Sequence, residues 1–181
     1  MSILGLKRGT VKVIPHQKEW QKNALDTIEI FKRLLGDTAI DIKHIGSTSI
    51  LTIHSKPIID IVIGVSDLNN IKPCIELLKK NNIIFRGEDV ENQLLFIMGN
   101  LEEDINTHHI HIVIYNEKNW IDYINFRDYL NNFEDKALIY DNLKQKLSKE
   151  FPYNRKIYTE KKNEFINEIL KEANEWKLNL K

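Results

Sequence analysis

Trp20, Ala24, Leu25, Ile28, Phe31, Leu34 and Leu35 recur at helical spacing and stop at Gly36, which predicts an amphipathic helix. A short extended piece at Val11 to Ile14 precedes it. From Ile40 to Ile45 apolar and polar positions alternate and β-branched residues are frequent, so this segment reads as a strand that breaks at Gly46. Pro57 to Val65, PIIDIVIGV, is an almost continuous apolar run with one carboxylate in it, the pattern of a strand covered on both faces.

Asp67 and Asn69 are placed to cap a helix that runs to about Asn81, with Pro73 tolerated in a first turn that needs no backbone donor. Ile83 to Phe85, Leu94 to Met98 and Thr107 to Ile114 read as three further strands, with a tight loop at Gly99-Asn100. From Glu117 the period is helical again: Trp120, Ile121 and Ile124, then Tyr140, Leu143 and Leu147, then Phe165, Ile166, Ile169, Ala173 and Trp176 beyond Pro152. Strands gathered in the middle and helices at both ends predict an α/β chain of the α+β type: a mixed sheet packed with helices, not an alternating doubly wound fold. Residues 1–181 are expected to form one domain, because neither repeats nor a Gly/Pro-rich linker interrupt them.

Hydrophobic residues make up 42% of the chain and charged ones 29%, enough apolar surface for a buried core and too much for a disordered segment. Lys plus Arg and Asp plus Glu both count 26, so the net charge steers the chain toward neither nucleic acid nor an anionic membrane. Cys74 is the single cysteine, which excludes an intramolecular disulfide and suits a reducing cytoplasm. No run approaches the ~18 apolar residues of a membrane span, and the start MSILGLKRGTVKV lacks the apolar core of a secretion signal. A soluble, unprocessed cytoplasmic protein is expected.

Three polar features stand out. The turn HIGSTS puts Gly46, Ser47, Thr48 and Ser49 at a strand end, where backbone N–H groups and hydroxyls suit phosphate oxygens; plain punctuation or a helix cap is the alternative. Asp60 sits inside an apolar strand, where an anion is costly unless paired or bound to a cation; a carboxylate held by the backbone or by Lys56 is the alternative. In THHIHIV, strand alternation puts His109 and His111 on one face and His108 on the other, so two imidazoles converge where a core histidine would stand alone.

HIGSTS, KPIIDIVIGV, RGED at Arg86 to Asp89, THHIHIV, FRDYL at Phe126 to Leu130 and YTEKKNEFI at Tyr158 to Ile166 resemble, in order, the successive motifs of the GrpB family. That resemblance covers nearly the whole chain and implies a nucleotidyltransferase-superfamily fold. In that superfamily a Gly-Ser turn holds the triphosphate, and two or three acids hold divalent metal that stabilises the attacking and leaving oxygens. Gly46 and Ser47 match the turn and Asp60 the first acid, but Val62 stands where the second acid of an Asp-x-Asp pair would project. Leu51-Thr52-Ile53 stands where many members have a Pro-Gly-Leu type of loop.

The resemblance implies Asp60, His109 and His111 as catalytic and metal-ligating residues, for Mg²⁺ or, with two imidazoles, Mn²⁺ or Zn²⁺. Lys56 is expected at the pocket edge, and Arg127, Arg155, Lys161 and Lys162 lie in motifs suited to phosphate. Three functions follow: metal-assisted nucleotidyl transfer to a small molecule or protein, a noncatalytic module binding a nucleotide or other phosphorylated small molecule, and a metal-dependent hydrolase using Asp60, His109 and His111. Neutral charge without a basic aromatic surface argues against nucleic acid as the substrate.

Overall fold

A computed structural model describes residues 4–180. Its elements are β1 (Leu6–Lys7), α1 (Glu19–Leu35), β2 (Asp41–Ile45), β3 (Ile59–Val65), α2 (Ile75–Lys80), β4 (Ile84–Val90), β5 (Gln93–Asn100), β6 (Ile105–Ile114), α3 (Lys118–Asn132), α4 (Glu134–Glu150) and α5 (Arg155–Leu178). The strands form one sheet in the order β2-β3-β6-β5-β4, with β1 paired to the start of β6. Only β3 and β6 run parallel; the other pairs are antiparallel. This is the mixed sheet that the element order predicts.

Alternation along the two central strands sorts the sheet into two faces. Ile59, Ile61, Ile63 and Val65 of β3, with Ile110 and Ile112 of β6, pack under Trp20, Ala24, Ile28 and Phe31 of α1. Val62 of β3 and Val113 of β6 point the other way, against Trp120 of α3. A Cβ on Gly64 would lie 2.7 Å from Tyr115 Cδ2 and 3.0 Å from the Trp120 ring, so glycine there leaves room for both side chains. Behind Trp120, α3, α4 and α5 share a cluster of Tyr129, Leu130, Ala137, Tyr140, Ile169 and Ala173. His108 faces α1, where its Nε2 lies 3.1 Å from the Thr27 hydroxyl.

Several local expectations change. The segment after Asp67 is a 3-10 helix, Leu68–Cys74, followed by the six-residue α2. Asp67 caps it by accepting from the Asn69 N–H, but Pro73 falls beyond the first turn, where its missing donor blocks the α pattern. The short piece at Val11 to Ile14 meets the rest of the chain through one bridge between Ile14 and Ser55. Gly99-Asn100 is not a loop: β5 runs through it with a bulge after Met98, and the turn spans residues 101–104. Gly99 is needed there because a Cβ would lie 2.0 Å from the Ile105 carbonyl oxygen.

Candidate functional site

Parallel pairing aligns Asp60 of β3 with His109 of β6 and Val62 with His111, all on the face turned toward α3 and α5. Asp60 Oδ1 accepts a hydrogen bond from His109 Nδ1 at 3.1 Å and lies 3.6 Å from His111 Nε2. The other nitrogen of His109, Nε2, is 3.4 Å from Arg155 Nη2. A guanidinium only donates, so His109 is the tautomer that carries its proton on Nδ1. Burial lowers the His109 pKa, outweighing the pull of Asp60, and so favours the neutral ring. His111 Nδ1 lies 3.4 Å from the Tyr123 hydroxyl, which donates to Gln93 Oε1 at 2.8 Å. Burial alone would raise the Asp60 carboxyl, but the neighbouring His109 and His111 imidazoles hold it far below the usual carboxylate range.

The Gly-Ser turn lies against this carboxylate. Gly46 adopts φ 68°, ψ −172°, and a Cβ there would sit 2.6 Å from Asp60 Oδ2. Glycine is therefore required both by the backbone and by the close approach of the turn to Asp60. Residues Ser47–Ser49 form a single 3-10 turn in which Ser49 Oγ donates to the Gly46 carbonyl at 2.6 Å. Thr48 Oγ1 is held 2.9 Å from His44 Nε2, a ring whose pKa burial lowers to about 4 and which is neutral at pH 7. Ser47 has no such internal partner among the described residues, and its residue lines the cavity above Asp60.

That cavity has a volume of about 440 Å³. Its lining combines Gly46, Ser47, Thr48, Asp60, His109 and His111 with four basic side chains, Lys56, Lys144, Arg155 and Lys162. Tyr123, Phe126, Tyr140, Ile166 and Leu170 of the C-terminal helices add apolar and aromatic surface, with the Tyr123 ring against His111 and Lys144 over the Tyr140 ring. Lys56 and Lys162 both lie over the Tyr158 ring, 5.5 and 4.7 Å from its centroid. Burial, then the charges of Lys162 and Arg155, lower the Lys56 pKa to about 7. Lys144 is lowered to about 7 as well, mainly by burial; it donates to the His54 carbonyl and sits 3.9 Å from Asp141.

Of the residues singled out from sequence, Gly46, Ser47, Thr48, Lys56, Asp60, His109, His111, Arg155 and Lys162 line this one cavity. Ser49, Arg127 and Lys161 do not. Ser49 turns inward to close its own turn, and Arg127 braces the back of β2, bonding the His44 carbonyl at 3.1 Å and Asp128 at 2.6 Å. Sequence reasoning passed over Lys144, Tyr123, Gln93 and Tyr158. Tyr158 lies in YTEKKNEFI and could have been singled out with Lys162; Lys144 has no signal beyond its place on an amphipathic helix.

The family model described as GrpB protein matches residues 10–172. The chain belongs to the GrpB family. It is 32% identical over 173 residues to the glutamate-rich protein GrpB of Alkalihalophilus pseudofirmus, covering 94% of this chain and 99% of that one. The crystal structure of GrpB from Enterococcus faecalis superposes with a TM-score of 0.83 at 26% identity, over 90% of this chain and 96% of that one. Cid1 poly(U) polymerase, with MgGTP bound, superposes with a TM-score of 0.53 at 12% identity, over 76% of this chain and 44% of that one. At that identity the likeness shows a nucleotidyltransferase-like fold.

The donor set of this GrpB chain does not fit the divalent metal that its fold implies. Among the described residues, no group of three His, Cys, Asp or Glu side chains is arranged to hold a metal ion. Asp60 Oδ1 already receives His109, His109 spends its second nitrogen on Arg155, and the second-acid position is Val62, fully buried under Trp120. The other carboxylate in the cavity wall, Asp122, is bonded to Lys118 and to Asn174 Nδ2. Lys56, Lys144, Arg155 and Lys162 line the same space and would repel a dication. Asp60, His109 and His111 thus meet as one hydrogen-bonded cluster, and not as three ligands around a common point.

Proposed function

We propose that this cavity binds the phosphate end of a nucleotide or of another phosphorylated small molecule, whose apolar or aromatic end rests on the C-terminal helices. One observation carries the reading. Lys56, Arg155 and Lys162 line the same cavity as the Gly46-Ser47 turn, and among the described residues none of them forms an ion pair with a carboxylate. Basic groups gathered in one half-buried space repel one another, and a phosphate supplies the counter-charge with acceptor oxygens that match ammonium and guanidinium donors. The tyrosines and aliphatic side chains in the same lining suit a base or acyl group.

The nucleotidyltransferase-like fold supports the nucleotide in particular, since Cid1 holds MgGTP on a related scaffold. Nucleotidyl transfer through two metals lacks its second acid here, so Asp60 has no carboxylate partner with which to share an ion. A hydrolase that activates metal-bound water meets the same obstacle at His109.

The test is calorimetric titration with ATP, GTP, CTP, UTP and inorganic tripolyphosphate. At least one nucleotide is expected to bind saturably, to compete with tripolyphosphate, and to lose affinity in Lys162→Ala. Absence of heat and of any thermal shift with every nucleotide and with tripolyphosphate would overturn the reading.

A further inference from the structure

We infer that Lys56, Arg155 and Lys162 neutralise the bound phosphates directly, so that the pocket takes its nucleotide free of divalent metal. The inference rests on the phosphate-site reading above and adds to it the charge state of the ligand. Three features point the same way.

First, the cations come from separate parts of the chain and converge. Lys56 belongs to the segment leading into β3, while Arg155 and Lys162 lie two turns apart on α5, with Lys56 and Lys162 gathered on one Tyr158 ring. Like charges do not assemble around a buried space at no cost; the arrangement becomes favourable when an anion occupies it. Second, two of the ligands that a metal would need are missing or engaged. His109 has both ring nitrogens engaged, by Asp60 and by Arg155, and Val62 removes the second carboxylate. Third, Arg155 is itself the group that blocks His109. A phosphate can draw on the same guanidinium through its remaining N–H donors, whereas a dication beside His109 would have to displace it. The cluster thereby becomes a relay of position: Asp60 fixes His109, His109 orients Arg155, and Arg155 faces the ligand.

Metal coordination takes negative charge off a triphosphate, so a metal-free pocket prefers the uncomplexed nucleotide. The experiment titrates the protein with ATP and with tripolyphosphate in EDTA and again with excess Mg²⁺ or Mn²⁺. Binding is expected in EDTA, with equal or weaker affinity once the metal is added. Arg155→Gln and Lys162→Gln, with folding checked by circular dichroism, are each expected to weaken binding in EDTA by about tenfold, the worth of one charge-assisted hydrogen bond.

Binding that appears only with Mg²⁺ or Mn²⁺, and that Asp60→Asn abolishes, overturns the inference while leaving the pocket a nucleotide site. Failure of both ligands to bind with or without metal overturns the inference together with the reading beneath it.

Discussion

Gly46→Ala tests how tightly the turn and the carboxylate are locked together. The substitution acts twice. At φ 68°, ψ −172° the backbone lies in a region that only glycine enters freely, and a side chain held there costs about 1–3 kcal/mol. The new methyl would also stand 2.6 Å from Asp60 Oδ2, 3.0 Å from its Cβ and 3.1 Å from its Cγ. Asp60 is pinned by His109 behind it, so relief requires the strand or the turn to move, an overpacking cost of about 1–3 kcal/mol. Against these, alanine restricts the unfolded chain and returns roughly 0.4–1 kcal/mol. The net loss is roughly 1–5 kcal/mol, and a value near the middle lowers Tm by about 6–12 °C for a chain of this size.

Differential scanning calorimetry measures the loss, and a double-mutant cycle separates its two parts. In an Asp60→Ala background the clash with Oδ2 and Cγ is gone and only the 3.0 Å approach to Cβ persists, so Gly46→Ala should cost less there by roughly 1–3 kcal/mol. A Tm for Gly46→Ala within about 2 °C of wild type would refute the reasoning. A cycle in which the two changes add independently would show that the turn and Asp60 are not in contact in solution.

The remaining predictions concern the charges around the site. Asp141 is buried and accepts from the His54 N–H at 2.6 Å, from His54 Nδ1 at 2.9 Å and from Gln145 at 2.9 Å, beside Lys144. Asp141→Ala leaves these donors and a buried ammonium unpaired, so denaturant unfolding should show a loss of about 3–5 kcal/mol, and Asp141→Asn a smaller one. Lys56 and Lys144 have pKa values of about 7 in the folded chain, below the ordinary lysine value, so between pH 7 and about 10 the unfolded chain binds more protons. Stability should therefore rise with pH across that window, and saturating tripolyphosphate should flatten the rise by restoring both charges; a Tm that falls from pH 7 to 9 without ligand would contradict this. Asp60 gives a slope of the same sign in the acid range: its depressed pKa contributes stability that is present above about pH 4 and lost below it, and Asp60→Asn should soften that acid limb in a pH series of thermal melts.

Most of the sheet was legible because its strands carry unambiguous patterns. PIIDIVIGV could only be a strand covered on both faces, and the period of two in THHIHIV separated His109 and His111 from His108 before any packing was known. The pairing of Asp60 with His109 follows once those two strands run parallel in register. What the pattern could not convey was how the polar atoms satisfy one another. Two imidazoles and a carboxylate on one face read equally as metal ligands or as a closed hydrogen-bonded cluster, and the difference lies in Arg155, 46 residues away in sequence from His109. Arg127 had the same appearance in its motif as Arg155, yet its neighbour Asp128 captures it and the His44 carbonyl turns it from the cavity. Lys144 was invisible for a related reason. On an amphipathic helix a lysine reads as a solvated cation with a snorkelling stem, and only the tertiary structure shows that Asp141, one turn earlier, draws it inward to the wall of the pocket. The charge of this site is thus decided by which cations keep a carboxylate and which do not, and that is settled between helices whose contacts leave no periodic trace in the chain.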